Sequence, residues 1–486
     1  MAARLRILFL ASEVAPFAKT GGLADVTGSL PKALSAMGHD VRVAMPAYAA
    51  IEAEVRNGSR RIRPTGLRVR VASGTGMGEA GAFESVLPGS DVKVWFVAER
   101  GMFDRPQLYG YMDDPFRFAF FSRAALQLLV ADLGWRPDVV HAHDWHGAPA
   151  VLWLATTGQI DERFRRIATT FTIHNLQHQG LGPWDLLRYL GIYTHGLHEE
   201  RYGEVNLMAR GIYHASMVTT VSPTYAREIM TPEGGAGLHG LLNFRRSDVH
   251  GIVNGLDYDA WNPQTDSRLP ARFTVDSIEA RLESKRELQA RAGLPQRDDV
   301  PLVAMVTRLD RQKGLDITGH VVHLLMNDTA GEAQFVALGT GEDEYKNMLR
   351  HLAGYHRHKM AALLAYDELL ASLIYGGADV FLMPSLFEPC GLGQLIAMRY
   401  GCVPVVRATG GLADTVHDTV TGFTFTDYSA DDFWDAVRRA LHVYRQDRES
   451  WRAIQRRGMT RDSSWAASAL GYQQIYGWAV ARAKGW

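Results

Sequence analysis

The sequence predicts an α/β protein built from two doubly wound, Rossmann-like domains. The chain has 486 residues, which is too long for one ordinary hydrophobic core. Short apolar runs alternate with helical patterns, as in βαβ units, and this alternation begins again in the second half of the chain. We expect the two domains to face each other across a deep cleft that holds the ligand.

Two series of apolar, β-rich runs define these domains. The first series comprises Arg6–Leu10, Val41–Met45, Val92–Val97, Asp138–Ala142, Thr169–Ile173 and Met217–Val221. The second comprises Leu302–Thr307, Gln334–Leu338, Val380–Met383 and Val403–Val406, with helical patterns over Gly341–Ala353 and Asp431–Tyr444. A turn-rich passage from Asn254 to Pro263 lies between the two series. We assign residues 1–252 to an N-terminal domain, 253–460 to a C-terminal domain and 461–486 to a helix that packs back on the first domain.

The composition is typical of a folded globular protein, with 47% hydrophobic and 22% charged residues. The 52 Lys and Arg residues balance 53 Asp and Glu residues, so no overall field attracts nucleic acid or an anionic membrane. No run approaches the roughly 18 apolar residues of a membrane span. Cys390 and Cys402 cannot form a disulfide scaffold. We expect a cytoplasmic protein that binds neither nucleic acid nor membranes, and the sequence indicates no oligomeric state.

The segment Glu388 to Leu392 stands between a strand-like run, Asp379 to Ser385, and a helix-like run, Gly391 to Arg399. Ligands of open parallel sheets bind outside the carboxyl ends of the strands, where the first N–H groups of the next helix have no intrahelical partner. A carboxylate accepts hydrogen bonds from sugar hydroxyls, and a helix start favours phosphate oxygens. Glu388, Cys390, Gly391 and Leu392 therefore predict a nucleotide-sugar site.

A six-residue segment occurs twice, as Thr20 to Asp25 and as Thr409 to Asp414, each time before a helical pattern. Paired glycines, Gly21-Gly22 and Gly410-Gly411, allow backbone amides to approach a ligand closely. The alternative is a tight turn that only packs, but the recurrence favours a ligand-binding role. Lys19 precedes the first copy and Asp25 ends it, and Lys19 would contact phosphate. Alternatively, Lys19 is a solvated loop lysine and Asp25 is a first-turn carboxylate favoured by the helix dipole.

Histidines and carboxylates follow two strands, in His141 to His146 and in Thr172 to Asn175. His141 and His143 point to one face of a strand, so a metal site must be considered. No second paired spacing completes a ligand set, and we expect no metal. Asp144 and His174 are interpreted as groups that bind hydroxyls or lie near the acceptor. Alternatively, His141 and His143 are buried and satisfied by backbone partners.

Two cations, Arg308 and Lys313, follow the first strand of the second series and precede a helix. If a nucleoside diphosphate leaves during the reaction, these side chains can neutralise its phosphate charge, in place of a divalent metal. The alternative is a solvated loop. The position at a strand end favours the functional interpretation.

Together these segments resemble bacterial glycogen synthases and the related plant starch synthases, which are retaining glycosyltransferases of the GT-B fold. The resemblance rests on Lys19 to Asp25, His141 to Trp145, Thr172 to Asn175, Thr220 to Pro223, Val253 to Gly255, Arg308 to Gly314 and Pro384 to Leu392. It implies transfer of glucose from ADP-glucose to the non-reducing end of an α-1,4-glucan, such as glycogen or a malto-oligosaccharide. It also implies retention of configuration and no cofactor or metal.

The resemblance assigns roles to individual residues. Lys19, Arg308 and Lys313 would hold the diphosphate, Glu388 would contact the donor glucose, and His174 and Asp144 would lie beside the reacting sugar. Further substrate contacts are expected from Glu13, Gly21, Gly22, Asp25, Asn175, Asn254, Tyr366, Cys390, Gly391, Leu392, Thr409 and Gly410. Retention proceeds either through a covalent glycosyl-enzyme, with Glu388 as the candidate nucleophile, or through a front-face displacement.

Three positions depart from the family pattern: Leu386 where Arg is usual, Ser372 where His is common and Ala209 where Lys is frequent. These departures leave open a UDP-glucose donor, a small-molecule acceptor, or a catalytically weak glucan-binding paralogue. Phosphorolysis would require a lysine in a pyridoxal-phosphate context, which the sequence does not contain.

Overall fold

The computed structural model describes residues 4–73, 76–200 and 203–485. The chain divides into two compact units, one formed by the chain up to Gly255 together with the residues from Trp465 onward, and one formed by Leu256–Ser464. The boundaries therefore fall at Gly255 and Ser464 rather than at residues 252 and 460. The first and last residues of the second unit lie next to each other in space, because the Leu256 N–H donates to the Ser463 carbonyl at 2.7 Å.

The first unit is built on a nine-stranded sheet with the order β11-β10-β7-β6-β1-β2-β5-β4-β3, and β8 and β9 form a separate pair. The strands are β1 (Arg6–Leu10), β2 (Asp40–Pro46), β3 (Arg63–Ser73), β4 (Gly76–Val86), β5 (Lys93–Ala98), β6 (Val139–His143), β7 (Ala168–Ile173), β8 (Leu181–Pro183), β9 (Glu204–Asn206), β10 (Met217–Thr220) and β11 (Val249–Gly251). From β11 to β5 the strands of this sheet are parallel, whereas β4 and β3 are antiparallel additions at one edge.

Helices cover this sheet, and the apolar strands are buried between them. They are α1 (Gly22–Ala36), α2 (Ala49–Arg56), α3 (Asp114–Leu126), α4 (Asp144–Ala155), α5 (Asp185–Tyr189), α6 (Leu207–His214), α7 (Pro223–Glu228) and α8 (His239–Phe244). The Ile7–Leu10 side chains of β1 are completely buried, as expected of a parallel strand covered on both faces.

The second unit contains a six-stranded, all-parallel sheet with the order β14-β13-β12-β15-β16-β17. Its strands are β12 (Leu302–Val306), β13 (Gln334–Leu338), β14 (Met360–Leu363), β15 (Val380–Met383), β16 (Val403–Arg407) and β17 (Phe423–Phe425). Its helices are α9 (Arg281–Arg291), α10 (Leu315–Met326), α11 (Asp343–Tyr355), α12 (Glu368–Gly377), α13 (Gly393–Arg399), α14 (Gly410–Thr415), α15 (Ala430–Gln446) and α16 (Arg448–Thr460). Alternate residues of each strand enter two cores, one on each face; Val303 and Met305 lie in one, and Leu302 and Ala304 in the other.

Short helices of other types complete the described chain: a π-helical segment at Gln127–Asp132 and 3-10 segments at Thr157–Ile160, Arg246–Asp248, Val275–Ala280 and Arg311–Lys313. None of the helices within the described ranges is both long and apolar enough to cross a membrane.

All ten strands predicted from the apolar runs are present, and the α/β class with Rossmann-like parallel sheets is confirmed. The prediction omitted β3, β4, β8, β9, β11, β14 and β17. β8, β9 and β11 are each only three residues long. In β3 arginines alternate with valines, because an antiparallel edge pair keeps one face solvated and so carries no continuous apolar run. β14 and β17 are only four and three residues long, which gives too little pattern to recognise.

The last helix, α17 (Trp465–Lys484), belongs to the first unit. Its tyrosines Tyr472 and Tyr476 are fully buried, and the Tyr476 hydroxyl lies 2.8 Å from His141 Nδ1. This hydrogen bond joins the end of the chain to the centre of the nine-stranded sheet.

Removing the Tyr476 hydroxyl leaves a buried imidazole nitrogen without this partner. We expect Tyr476→Phe to lower the unfolding free energy of the first unit by about 1 to 3 kcal/mol, measured by urea denaturation. Tyr193→Phe is the matched control, because Tyr193 is 90% exposed, and it is expected to leave the midpoint unchanged. Equal midpoints for the two variants would contradict the structural role of α17.

Candidate active site

In each sheet, the predicted functional residues follow the carboxyl ends of parallel strands. In the first unit they follow β1, β6 and β7, which are adjacent in the sheet, and β11 at its edge. In the second unit they follow β12, β15 and β16, which are adjacent, and β14 at the edge. This is the end of the strands at which open α/β sheets bind ligands.

Glu13 organises the loop between β1 and α1. Its buried carboxylate accepts hydrogen bonds from the Thr20 N–H, from the Thr20 hydroxyl at 2.7 Å and from the Gly21 N–H at 3.2 Å. The Tyr109 hydroxyl donates to the same group at 2.7 Å. Both oxygens of Glu13 are thus occupied by protein donors, so Glu13 shapes the Gly-Gly loop rather than offering an unoccupied carboxylate to a ligand.

The two glycines of this loop are not required by packing. A Cβ at Gly21 or Gly22 would meet no atom within 4 Å, and neither residue has a left-handed backbone. Lys19 Nζ lies 2.7 Å from Asp25 Oδ1 at the start of α1, and both side chains are partly exposed. The two glycines therefore border open space near the Lys19 ammonium, although the Gly21 N–H is already donated to Glu13.

Asp144 opens α4 with a left-handed backbone, at a φ of 51°, which is uncommon for a residue other than glycine. This conformation allows its Oδ1 to accept a hydrogen bond from the His174 N–H at 2.8 Å. Burial raises the pKa of Asp144 to about 7, while hydrogen bonds from the His174 and Asn175 backbones act in the opposite direction. Asp144 thus links the ends of β6 and β7.

The three histidines at these strand ends have different environments. His141 Nε2 lies 2.6 Å from Thr172 Oγ1 and its Nδ1 contacts Tyr476, so this ring is buried with both nitrogens in hydrogen bonds. His143 Nδ1 lies 2.9 Å from His174 Nε2. Burial lowers the pKa of His174 to about 3, so its imidazole is neutral near pH 7. His141 is thus buried and satisfied, as the alternative interpretation held, but by side-chain hydroxyls rather than by the expected backbone partners.

Asn175 and Asn254 are the remaining candidates of the first unit. The Asn175 Oδ1 accepts from the Gln177 N–H at 3.0 Å, which fixes the turn after β7. Asn254 is 6% exposed, and its Oδ1 has no hydrogen-bond partner among the described residues. Within the described ranges, no group of three or more His, Cys, Asp or Glu side chains is arranged to hold a metal ion.

In the second unit, an ammonium–carboxylate contact joins the loops after β12 and β15. Lys313 Nζ lies 2.6 Å from Glu388 Oε2, and the two side chains are 18% and 7% exposed. The Ser385 hydroxyl donates to the same oxygen at 3.0 Å. Gly314, with a φ of 78°, permits this approach, because a Cβ there would lie 2.2 Å from the Pro384 carbonyl oxygen.

Arg308 lies on the same loop but does not join this contact. Its guanidinium is 64% exposed, lies 3.3 Å from Asp310 and donates to Gln312 at 3.2 Å. Asp310 also accepts from the Lys313 N–H at 3.0 Å. Arg308 is therefore an exposed cation at the rim, whereas Lys313 is largely buried.

The turn after Glu388 is fixed by Gln394, which is fully buried. The Gln394 Nε2 lies 3.0 Å from the Cys390 carbonyl and 3.0 Å from the Gly391 carbonyl. The helix α13 begins at Gly393, not at Gly391, because Gly391 has a φ of 75° and belongs to the turn. Leu392 precedes the first helical residue. Cys390 is buried and forms no disulfide.

The second Gly-Gly pair has a different physical role from the first. Gly410 has a φ of 45°, and a Cβ there would lie 1.9 Å from the Glu388 carbonyl oxygen; one at Gly411 would lie 2.2 Å from the Cys390 carbonyl oxygen. The Gly411 N–H donates to the Glu388 carbonyl at 3.1 Å. Thr409, buried, precedes α14. Here the glycines are required by close backbone packing, the alternative that the recurrence had disfavoured.

Tyr366 follows β14 and is 80% exposed. Of the three departures from the family pattern, Ser372 is buried and donates to Asp266, and the Ala209 N–H donates to Asn206 within the start of α6. The Leu386 N–H donates to the Gln312 carbonyl at 2.9 Å, and its own carbonyl accepts from the Arg407 guanidinium. A cation thus contacts this turn from β16.

Several residues of these loops were not predicted: Tyr109, Ser385, Gln394 and Arg407. Tyr109 makes a contact that is long-range in sequence, and Gln394 and Arg407 donate to backbone carbonyls, for which no local pattern exists. Ser385 contacts Glu388 only three residues away. His143 was considered only as part of a possible metal pair or as a buried histidine. It ends β6 in register with Thr172, two residues before His174, and this relation between strands is not visible in the pattern of either strand alone.

The contrast between the glycine pairs predicts different effects of added methyl groups. Gly410→Ala is expected to lower the unfolding free energy of the second unit by about 2 to 4 kcal/mol, because of strain and the clash with Glu388. Gly21→Ala, the matched substitution in open space, is expected to change the stability of the first unit by less than about 0.5 kcal/mol. Urea denaturation of both variants measures this, and equal losses would refute the distinction.

The raised pKa of Asp144 predicts a pH-dependent stability. The pKa of Asp144 in the folded state, about 7, exceeds the ordinary value of 3.8. The contribution of this carboxyl to the free energy of unfolding is therefore complete below pH 3.8 and is lost as the pH rises through about 7. From about pH 4 to about pH 8, wild type should lose up to about 4 kcal/mol relative to Asp144→Asn. Asp185→Asn, at an exposed position, is the control. A constant difference between wild type and Asp144→Asn would contradict this assignment.

Comparison with known proteins identifies the family. Residues 6–244 match the starch synthase catalytic domain model, and residues 287–457 match the model of glycosyl transferases group 1. Glycogen synthase 2 of Geobacter sulfurreducens is 47% identical over 488 residues, covering 97% of this chain and 98% of that protein. Glycogen synthase of Moorella thermoacetica is 45% identical, covering 97% and 96%.

Two solved structures have the same architecture. The catalytic domain of starch synthase IV from Arabidopsis thaliana, bound to ADP and acarbose, superposes with a TM-score of 0.90 at 34% identity and covers 99% of this chain and 100% of its own. Sucrose-phosphate synthase from Thermosynechococcus elongatus, at 17% identity and a TM-score of 0.59 over 98% of each chain, shares the fold. The chain therefore belongs to the family of bacterial glycogen synthases and plant starch synthases, and it is a retaining glycosyltransferase of the GT-B fold.

Proposed function

We propose that this enzyme transfers glucose from ADP-glucose to the non-reducing end of an α-1,4-glucan, without a metal ion. The observation that carries the proposal is the contact between Lys313 and Glu388 at the carboxyl edge of the second sheet, at 2.6 Å. It combines a cation for phosphate with a carboxylate for sugar hydroxyls. The related starch synthase IV, which was solved with ADP and acarbose, supports both the nucleotide and the glucan.

Lys313 acts on the leaving group. When the bond between the sugar C1 and the phosphate oxygen breaks, negative charge accumulates on the ADP phosphates. An ammonium that is already in place and largely removed from water stabilises this charge without reorganisation. Arg308 adds a second, exposed cation, and Lys19 supplies one in the first unit. These side chains take the part that a divalent metal plays in other nucleotide-dependent transferases.

Glu388 binds the donor sugar rather than attacking it. Its Oε2 accepts hydrogen bonds from both Lys313 and Ser385, which lowers the nucleophilicity of that oxygen. We therefore favour a front-face displacement. The acceptor hydroxyl oxygen bonds to C1 on the face from which the phosphate departs, its proton passes to the leaving phosphate oxygen, and ADP is released.

The first unit supplies groups for hydroxyls. His174, Asp144 and Asn175 follow β6 and β7, and the buried Asn254 Oδ1 lacks a partner among the described residues; we assign these four to sugar recognition. The Gly21-Gly22 backbone and Lys19 are assigned to the donor phosphates. Neither cysteine forms a disulfide, which supports our assignment of the enzyme to the cytoplasm.

Initial rates of ADP release, with glycogen as acceptor, test the function. We expect turnover with ADP-glucose to exceed turnover with UDP-glucose. Malto-oligosaccharides and glucose phosphates serve as alternative acceptors in the same assay. Retardation by glycogen in a native gel, without release of nucleotide from either donor, would instead support a glucan-binding paralogue.

Substitution of the two cations tests the mechanism. We expect Lys313→Ala to lower kcat about 10² to 10³-fold, and Arg308→Ala about tenfold or more, because charge on the leaving diphosphate is no longer neutralised. Lys313→Gln removes the charge but keeps an N–H donor for Glu388, so the fall in kcat of this variant measures the effect of the charge alone. Arg291→Ala, at an exposed position on α9, is the control. Parental kcat in Lys313→Gln would rule out this role for Lys313.

A further inference from the structure

We propose that His143 is a positioning residue that fixes the proton of His174 on Nδ1, so that His174 donates a hydrogen bond from Nδ1 to a sugar oxygen. The use made of that hydrogen bond rests on the proposed function. The tautomer itself follows from the packing of the histidines at the ends of β6 and β7.

The ring of His143 is held in one orientation. It is fully buried, stacks on Phe9 with ring centroids 5.4 Å apart, and lies 4.1 Å from the ring of His141. In this orientation its Nδ1 lies 2.9 Å from His174 Nε2. His174 is held independently through its backbone, because its N–H donates to Asp144 at 2.8 Å. The contact between the two rings is therefore a fixed feature of the site.

Both imidazoles are neutral near pH 7. Burial lowers the pKa of His143 well below its ordinary value, with His141 and His174 acting in the same direction; burial also lowers the pKa of His174. Each ring then carries one proton, and one ring must donate to the other. Two arrangements satisfy this condition: His143 Nδ1–H donates to His174, or His174 Nε2–H donates to His143.

The second nitrogen of His143 decides between them. His143 Nε2 is buried and has no hydrogen-bond partner among the described residues. If His174 were the donor, His143 would carry its proton on Nε2, as a buried N–H without an acceptor, which is rare in native proteins. If His143 donates from Nδ1, Nε2 is an unprotonated nitrogen beside aromatic rings. The structure therefore favours the arrangement in which His143 Nδ1–H donates to His174 Nε2, and this requires the proton of His174 on Nδ1.

The His174 Nδ1–H can then donate a hydrogen bond to a ligand. No other polar group of the described chain contacts this ring, which remains partly exposed at the end of β7. A neutral N–H donor of fixed direction can bind a sugar oxygen in the reacting complex. A histidine free to exchange tautomers would present a donor for only part of the time.

Two substitutions of His143 separate its Nδ1 from its Nε2. The amide of His143→Asn can place an N–H donor where Nδ1 lies, whereas the amide of His143→Gln extends toward the position of Nε2. We expect long-range ¹H–¹⁵N spectra of histidine-labelled protein to show His174 protonated on Nδ1 in wild type and in His143→Asn, but as a tautomer mixture in His143→Gln. The His174 signals are assigned by their loss in His174→Asn.

The same variants are compared in turnover. We expect His143→Asn to keep kcat within about threefold of wild type and His143→Gln to lose about 10 to 10²-fold, with KM for the donor little changed. Equal ADP affinity and equal unfolding midpoints confirm that both variants fold. Protonation of His174 on Nε2 in wild type, or an unaltered tautomer in His143→Gln, would overturn the proposal. If wild type releases no ADP, the proposed function fails, and the spectra still decide the tautomer.

Discussion

The second unit depends on how closely two backbone turns approach each other. The turn from Glu388 to Gly391 packs against Gly410 and Gly411 at distances that exclude a Cβ, and a hydrogen bond from Gly411 joins them. Gln394 fixes the same turn from the other side. Only with its backbone held in this way does the Glu388 side chain meet Lys313 and Ser385 with a defined geometry.

In the first unit, a side chain fixes the backbone of the corresponding loop. The carboxylate of Glu13 accepts hydrogen bonds from Thr20 and Gly21, so the backbone of the loop is shaped from beneath, and the outer surface of the two glycines stays open. The same six-residue sequence therefore has two structural roles: in the first unit it leaves open space beside its two glycines, and in the second it accommodates another turn of the protein. Sequence identity of two loops does not establish identity of function.

Burial also sets the charge state of the first unit's polar groups. The removal of water raises the pKa of Asp144 and lowers that of His174, so both groups are less charged near pH 7 than exposed side chains would be. The second unit, by contrast, retains an ammonium and a carboxylate in contact. Neutral donors and acceptors suit sugar hydroxyls, and a placed cation suits phosphate charge.

The two Rossmann-like sheets, the family, and the loops that carry Glu388, Lys313, His174 and Asp144 could be predicted from the amino-acid sequence alone. These features are encoded locally, in buried parallel strands that read as continuous apolar runs and in loops that follow each strand end. Tertiary structure decided what those residues contact: that Lys313 rather than Arg308 meets Glu388, that Glu13 shapes a loop, and that His143 meets His174. Lys313 and Glu388 are 75 residues apart in the chain, and His143 and His174 are 31 apart, so no local pattern records these contacts. The Glu13 contacts are closer in sequence, but they depend on the fold of the loop after β1.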